Sequence, residues 1–294
     1  MEGTVRWVRS LAAAESVALV VGGRCGLRVT GCELVRSLVN DVYRVDVEGG
    51  LVYACKVYAA GKAHVAWEQD LAVHLAAAGV TEAVPVPMED GALVGEIEAP
   101  EGVRQFTVTA WMRGGKPRPP WSGELFFRYG AALARFHEAA DGFDSAHPAR
   151  TYDPVRTLDD ALAYIGDPMV HEIAERVRPL LDGIGDVGVR HGDASLDNVH
   201  LTDDGRMLWH DFDLAAVGPR AADLTGVFAS GHWPAFEAGY ASRRRTTGDV
   251  RALRVVELVR NIAWHLRDKV ALRGTESTAE GWVDRELQSL RDLL

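Results

Sequence analysis

The chain begins its regular pattern with an alternation of hydrophobic and polar residues that predicts a β-hairpin. Apolar side chains take every second position over residues 43–47, and Gly49 and Gly50 follow as a turn. Residues 51–58 form a second run, rich in β-branched and aromatic side chains. The N-terminal part of the chain is therefore expected to contain antiparallel sheet.

The hydrophobic period then changes to that of an α-helix. Apolar residues recur at helical spacing over residues 67–78, and Gly79 predicts the end of this helix. A β-rich run at residues 105–112 predicts a return to strand. Sheet with one helix is therefore expected as far as residue 112.

A Pro- and Gly-rich segment at residues 113–123 divides this region from a mostly helical one. Ser122 can cap a helix whose apolar positions run from Leu125 to Ala140 at spacings of three and four. Further helices are predicted at residues 155–165, 169–182, 251–270 and 279–293. The pattern predicts an α+β fold of two lobes, residues 1–112 and 113–294.

The apolar run at residues 11–23 has two interpretations. It follows two arginines, as a secretory signal peptide would, but Glu15 and Ser16 interrupt it. We favour an amphipathic helix that carries Trp7, Val8 and Leu11 on one face. No uninterrupted apolar stretch approaches the ~20 residues that cross a bilayer, so no membrane partner is predicted.

Charge and cysteine content limit the class of binding partner and the cellular compartment that we expect. The formal charge of −10 disfavours nucleic acid and favours a neutral or cationic small molecule. The three cysteines are odd in number and show no CxxC spacing, which indicates a reducing cytoplasm. The sequence leaves the oligomeric state open.

The candidate chemistry lies in a second predicted hairpin, "VHLTDDGRMLWH". Its Asp-Asp-Gly segment suits a type I turn closed by a left-handed glycine, centred between Asp204 and Gly205. Asn198 lies as far before that centre as Asp211 lies after it. Strand pairing is therefore expected to bring these two side chains to the same end of the hairpin.

The residue types at that end suit phosphoryl transfer. An amide oxygen and a carboxylate are hard ligands of the kind that Mg²⁺ uses beside nucleotide phosphates. Asp193, five residues before Asn198, lies on the entering loop and can accept or orient a hydroxyl proton. Such a set is sufficient because positioning and charge neutralisation supply most of the catalysis.

The stretches "HGDASLDN" and "HDFD" resemble the Brenner motif and the metal-binding aspartate of the aminoglycoside phosphotransferase and choline kinase superfamily. "YGAALARFHEAA", "WMRGG" and "GPRAADL" are similar to its helix, hinge and post-metal segments. The resemblance implies a protein-kinase-like fold, with an antiparallel N-terminal lobe and a mainly helical C-terminal lobe. It also implies Mg²⁺-dependent transfer of the γ-phosphate of ATP, or alternatively of GTP, to a hydroxyl of a small molecule.

The same resemblance implies roles for individual residues. Asp193 is the catalytic aspartate, and Asn198 and Asp211 are the metal ligands. Lys56 meets the nucleotide phosphates, and Glu68 forms an ion pair with it. The helix pattern supports this pairing independently, because Glu68 faces the lobe interior, where a lone carboxylate is costly.

Two further nucleotide contacts are implied. Backbone groups of Ala110 and Met112 meet the adenine, and Asn40 lies in the phosphate-covering turn at residues 38–42. That turn has no GxGxxG motif, so its assignment comes from the resemblance and from its position before a strand. Gly192 stands where protein kinases have arginine, and no Ala-Pro-Glu segment follows, which favours a small acceptor over a protein.

Other interpretations remain open at this point. A metal-dependent hydrolase would use His191, Asp193, His210 and Asp211 as ligands. A nucleotide-binding module without catalysis is a third possibility. In the kinase interpretation, His191 is expected to brace the loop by hydrogen bonding rather than take part in chemistry.

Two more side-chain groups receive structural predictions. Arg220 and Asp223 are expected to form a structural ion pair after the metal loop. Trp233, Phe236 and Tyr240 fit either an acceptor pocket or a helix core, because their spacing is helical.

Overall fold

A computed structural model describes residues 7–183, 185–273 and 280–293. They form two compact units. Of these residues, the first unit comprises 7–113, 145–148 and 271–273, and the second comprises 114–144, 149–270 and 280–293. The division falls one residue beyond the predicted lobe boundary, and the roles assigned to the two lobes remain predictions.

The first unit is built on a five-stranded antiparallel sheet in the order β1-β2-β3-β5-β4. Its strands are β1 (Val29–Ser37), β2 (Asp41–Val47), β3 (Val52–Val57), β4 (Gly95–Ala99) and β5 (Gly102–Ala110). The predicted hairpin is confirmed as β2 and β3, with Gly49 and Gly50 at φ of 87° and 81°. The edge strands β1 and β4 were not predicted. Every side chain of β1 is at least partly exposed, so its sequence carries no two-residue hydrophobic period.

Helix α1 (Ala14–Cys25) packs on this sheet through Val17 and Val21, which are buried with core residues of β2 and β5. The predicted position of the N-terminal helix is wrong. Trp7, Val8 and Leu11 lie outside α1 and are 57%, 49% and 55% exposed. This segment does not form the predicted helix because Arg9 and Ser10, which lie between Val8 and Leu11, bond to residues that are distant in the sequence.

Helix α2 (Val65–Ala77) follows β3 as predicted, and Gly79 with φ of 67° terminates it. Trp67, Leu71 and Leu75 form its buried face. Glu68 is buried on the same helix with 7% exposure, as its predicted orientation toward the interior requires.

The second unit contains a tight pair of helices, α3 (Gly123–Ala139) and α6 (Trp233–Ala241). Ser122 caps α3 as predicted, because its side chain accepts from the Leu125 N–H at 3.2 Å. The backbones approach closely at Gly130 of α3, where an added Cβ would overlap the Phe236 carbonyl. Phe236 and Tyr240 are buried, which supports a core role rather than an acceptor pocket.

We expect Gly130→Ala to lower the free energy of unfolding by about 3 kcal/mol, because a backbone carbonyl cannot move aside as a flexible side chain can. Urea unfolding measures this change. The matched control is Gly166→Ala, where a Cβ meets open space and the change should stay within about 0.5 kcal/mol. Equal midpoints for the two variants would contradict the close helix packing.

The other predicted helices are confirmed with changed ends. They are α4 (Pro154–Leu162), α5 (Pro168–Val177), α7 (Val250–Ala263), α8 (Lys269–Arg273) and α9 (Trp282–Arg291). A π-helical stretch, Trp264–Asp268, joins α7 to α8. Residue 279, the predicted start of the last helix, lies outside the described residues. None of the helices in the described ranges is long and apolar enough to cross a membrane.

Four short strands complete the second unit and carry its candidate site. They are β6 (Val187–Arg190), β7 (Val199–Leu201), β8 (Met207–Trp209) and β9 (Ala216–Pro219). β6 pairs with β9, and β7 pairs with β8, both antiparallel. The loop between β6 and β7 and the segment between β8 and β9 contain Asp193, Asn198 and Asp211.

Candidate active site

The structure joins Asp193 and Asn198 directly. The Asn198 amide Nδ2 donates to the Asp193 carboxylate Oδ2 at 2.8 Å and to the Asp193 main-chain oxygen at 2.9 Å. Asn198 is 3% exposed, so this orientation of its amide is held by packing as well as by hydrogen bonds. The predicted catalytic and metal residues of this loop therefore form one cluster.

The hairpin that follows brings Asp211 to the same end, with a register one residue from the predicted one. Gly205 is left-handed at φ of 83°, as predicted, and its N–H donates to the Thr202 carbonyl at 2.9 Å. The His210 N–H donates to the Asn198 carbonyl at 3.1 Å, so Asn198 lies opposite His210 rather than opposite Asp211. Asp211 is the next residue, in a left-handed conformation.

His191 links the two halves of this site. Its Nε2 lies 3.0 Å from the His210 carbonyl oxygen, which can only accept, so Nε2 carries the proton. Its Nδ1 is then the acceptor for the Asp193 N–H at 3.3 Å. The ring is fully buried, and the bracing role predicted for His191 is confirmed.

Gly192 allows the predicted catalytic loop, residues 191–198, to lie against the segment after Asp211. Its φ is 85°, and an added Cβ would overlap the Leu214 carbonyl. A larger residue at this position would separate the two segments. The close approach gives a local reason for glycine where protein kinases have arginine.

In the first unit, Lys56 and Glu68 both contact a buried tyrosine, Tyr58. The Tyr58 hydroxyl donates to Glu68 Oε1 at 2.6 Å, and Lys56 Nζ lies 5.1 Å from the centre of the Tyr58 ring. Burial raises the pKa of Tyr58 well above its ordinary value, so the hydroxyl stays protonated as a donor. Tyr58 was missed from the sequence, although it is two residues from Lys56 and therefore on the same side of the chain. The Lys56–Glu68 ion pair itself stays a prediction.

The other predicted nucleotide contacts, Asn40, Ala110 and Met112, also lie in the first unit. Asn40 Oδ1 accepts from the Ala59 N–H at 3.1 Å, and the Asn40 carbonyl accepts from the Leu38 N–H at 3.2 Å. At the end of β5, the Ala110 N–H donates to the Val84 carbonyl at 2.8 Å, and Met112 is buried. The predicted nucleotide contacts of Asn40, Ala110 and Met112 remain proposals.

Comparison with known proteins decides the family. The model of the phosphotransferase enzyme family matches residues 32–256. The chain belongs to this family. An uncharacterized protein of Deinococcus radiodurans is 30% identical over an alignment of 275 residues that covers 84% of this chain and 79% of that protein.

Several similar proteins with named activities are small-molecule kinases. A homoserine kinase of Agrobacterium fabrum is 32% identical over an alignment of 161 residues that covers 52% of this chain and 48% of that enzyme. Amicoumacin kinase hAmiN, solved with AMP-PNP, Ca²⁺ and Ami, is 17% identical with a TM-score of 0.77, covering 95% of this chain and 93% of that one. A microcompartment-associated aminopropanol kinase is 18% identical with a TM-score of 0.68, covering 93% and 98%. The predicted superfamily, kinase-like fold and small-molecule kinase class are confirmed.

The hydrolase interpretation loses one of its four predicted ligands, His191. Both ring nitrogens of His191 are used in hydrogen bonds within the loop, so this side chain is not a metal ligand. Across the part of the chain that the structure describes, no three His, Cys, Asp or Glu side chains are placed to hold a metal ion. The Asn198 and Asp211 pair does not need such a cluster, because nucleotide phosphates supply further oxygens to Mg²⁺.

Asp223 anchors the predicted catalytic loop, a role that sequence reasoning missed. Its carboxylate accepts from the N–H groups of His191 at 2.6 Å and Gly192 at 2.9 Å, from Arg190 at 3.2 Å and from His137 Nε2 at 3.1 Å. Burial alone would raise the pKa of Asp223, but the His137 hydrogen bond and the Arg190 charge hold it well below its ordinary value. The buried carboxylate is therefore ionised at neutral pH and fixes the backbone directly before Asp193.

The predicted Arg220–Asp223 ion pair is wrong. Arg220 instead binds Asp186 at 2.7 Å and Asp141 at 2.5 Å. The guanidinium packs over Gly188, where an added Cβ would overlap it. The physical reason is that the Asp223 carboxylate is already occupied by Arg190 and by the N–H groups of His191 and Gly192, while Arg220 finds Asp141 and Asp186.

Proposed function

We propose that this enzyme transfers the γ-phosphate of ATP, with Mg²⁺, to a hydroxyl of a small molecule that also carries an amine. The observation that carries the proposal is the pair of hydrogen bonds from the Asn198 amide to Asp193. These bonds fix the proposed base, Asp193, relative to Asn198, whose side chain is of a type that binds metal ions. Phosphoryl transfer needs this kind of positioning.

The residues present fit Mg²⁺. Because the Asn198 amide nitrogen is used on Asp193, its oxygen Oδ1 is the atom that remains to act as a ligand. Asp211 is the residue after His210, which lies opposite Asn198 in the hairpin. The Asn198 amide oxygen and the Asp211 carboxylate are both hard oxygen donors. When bound there, Mg²⁺ would neutralise the charge of the nucleotide phosphates.

Asp193 would act on the acceptor. Asn198 holds one carboxylate oxygen, Oδ2, so the group has a fixed orientation and its second oxygen can face an acceptor hydroxyl. As the new O–P bond forms, the hydroxyl proton would pass to Asp193 and ADP would leave. In the first unit, Lys56, which lies beside the Tyr58 ring, is proposed to meet the phosphates and to pair with Glu68. The Ala110 carbonyl and the Met112 N–H are proposed to meet the adenine.

The acceptor class comes from the relatives. Homoserine, aminopropanol, and choline or ethanolamine are the acceptors named for several of them, and each combines a hydroxyl with a nitrogen. The net charge of −10 is compatible with a cationic molecule. An amino alcohol is therefore the first class to test.

The test is consumption of ATP and of GTP with Mg²⁺, measured against a panel of homoserine, aminopropanol, choline, ethanolamine and aminoglycosides. We expect nucleotide turnover above the acceptor-free rate with at least one amino alcohol, together with a phosphorylated product by mass spectrometry. Nucleotide-independent hydrolysis with Zn²⁺ or Mn²⁺ would instead favour the hydrolase interpretation.

Asp211→Ala is expected to weaken Mg²⁺-dependent nucleotide binding by at least about tenfold, because a proposed ligand is lost. Titration of a fluorescent ATP analogue with and without Mg²⁺ measures this effect. The matched control is Asp203→Ala, which removes the same charge from an exposed position on the turn of the hairpin and should leave binding unchanged. Equal analogue affinity of the wild type in both conditions would remove Asp211 from this role.

A further inference from the structure

The turn between β1 and β2, Ser37–Asn40, lacks the glycines of a flexible phosphate loop, and it is instead held from outside the sheet. Arg9, in the segment before α1, reaches it through two hydrogen bonds. One guanidinium nitrogen donates to the Leu38 carbonyl at 2.6 Å, and the other donates to the Ser37 hydroxyl at 2.8 Å. A side chain 28 residues away in sequence thus binds both the backbone and a side chain of the turn.

The same arginine also binds Asp41, which ends the turn and starts β2. The Asp41 carboxylate is fully buried, and Arg104 of β5 donates to its other oxygen at 2.8 Å. One carboxylate is therefore held between two arginines. A buried ion pair of this kind is geometrically demanding, because each charge must keep its partners once water is excluded.

Arg104 connects this network to β3 and to the N-terminal segment. Its guanidinium donates to the Tyr58 carbonyl at 2.7 Å and to the Ser10 carbonyl at 2.9 Å. Arg104 is 1% exposed, so it cannot exchange these partners for water. The position of the turn is thereby tied to the end of the strand that carries Lys56.

We propose that Arg9, acting through Asp41, is a positioning residue that sets the β1–β2 turn for the nucleotide phosphates. This inference rests on the proposed function, in which that turn covers the phosphates. A glycine-rich loop would gain its shape when the nucleotide binds, whereas this turn is ordered beforehand by side chains. The N-terminal segment, which carries no residue of the predicted site, thus contributes to nucleotide affinity.

The main test is Arg9→Ala, with nucleotide affinity and turnover measured separately. We expect the Kd for an ATP analogue with Mg²⁺, and the KM for ATP, to rise about tenfold, the scale of losing a hydrogen bond to a charged group. Neither kcat nor the KM for the acceptor should change. The matched control is Arg28→Ala, which removes an exposed arginine paired with Glu48 from the same unit and should leave all constants unchanged.

A second variant keeps the inference testable if Arg9→Ala does not fold. Arg9→Lys retains the charge beside Asp41 but replaces the planar fork, whose two terminal nitrogens bind the Leu38 carbonyl and the Ser37 hydroxyl separately, by a single nitrogen. Its Kd should fall between those of the wild type and the alanine variant. Hydrogen exchange of residues 37–42 should also rise in both variants, while exchange in α5 of the second unit should not.

The outcomes separate the two proposals. A folded Arg9→Ala or Arg9→Lys enzyme with wild-type nucleotide affinity and wild-type exchange at residues 37–42 overturns the positioning role, even if the enzyme is a kinase. A wild-type enzyme that binds no nucleotide overturns the proposed function instead.

Discussion

Replacing Asp193 by alanine is expected to lower turnover roughly 10²–10⁴-fold, the usual scale for a positioned general base. Nucleotide affinity should stay at the wild-type value. The reason is structural, because Asn198 donates to the main-chain oxygen of Asp193 as well as to its carboxylate. The main-chain bond survives the substitution, so the proposed metal ligand keeps its orientation while the base is lost.

Asp197→Ala is the matched control for this measurement. Asp197 lies four residues further along the same loop, its side chain is 83% exposed, and it pairs with Lys116 at the surface. The substitution removes the same charge, so turnover close to wild type is expected. An equal loss of turnover in both variants would mean that the charge of the loop matters rather than the position of Asp193. Wild-type turnover of Asp193→Ala would exclude Asp193 as the base.

The parts of the site that the sequence predicts are those built by local rules. The turn at Gly205 requires a left-handed residue, and this alone places Asn198 and the segment that starts at His210 at one end of a hairpin. The register was one residue wrong because the turn closes between Thr202 and Arg206 at 3.0 Å. Counting residues from an assumed turn centre cannot detect such a shift.

The parts that the sequence does not predict depend on contacts between distant residues. Asp223 bonds to His137, 86 residues earlier, and to backbone N–H groups 31 and 32 residues earlier. Arg9 lies in a segment that was predicted to be helical, but it pairs instead with Asp41, which lies on another element. In both cases a buried charge selects its partner through the folded geometry, and no local pattern shows that choice.

Asp223→Asn is the second large expected effect. The carboxylate is fully buried and accepts from two backbone N–H groups, from Arg190 and from His137. An amide of the same size removes the charge opposite Arg190 and turns a donor toward other donors. We expect the free energy of unfolding at pH 7 to fall by about 3–5 kcal/mol, the scale of breaking a buried ion pair. Turnover should fall about 10–100-fold, as for other residues that orient site groups.

The pH dependence of this stability difference tests the ionised state of Asp223. Its pKa in the folded protein lies well below the value of about 3.9 in an unfolded chain, so ionisation stabilises the fold above that pH. As the pH falls below about 4, the unfolded chain binds the proton first, and the difference between wild type and Asp223→Asn should shrink. Asp141→Asn is the control, because this carboxylate is 48% exposed and should cost about 1 kcal/mol or less. If Asp223→Asn and wild type unfold at the same temperature at pH 7, Asp223 is not the charged anchor of the catalytic loop.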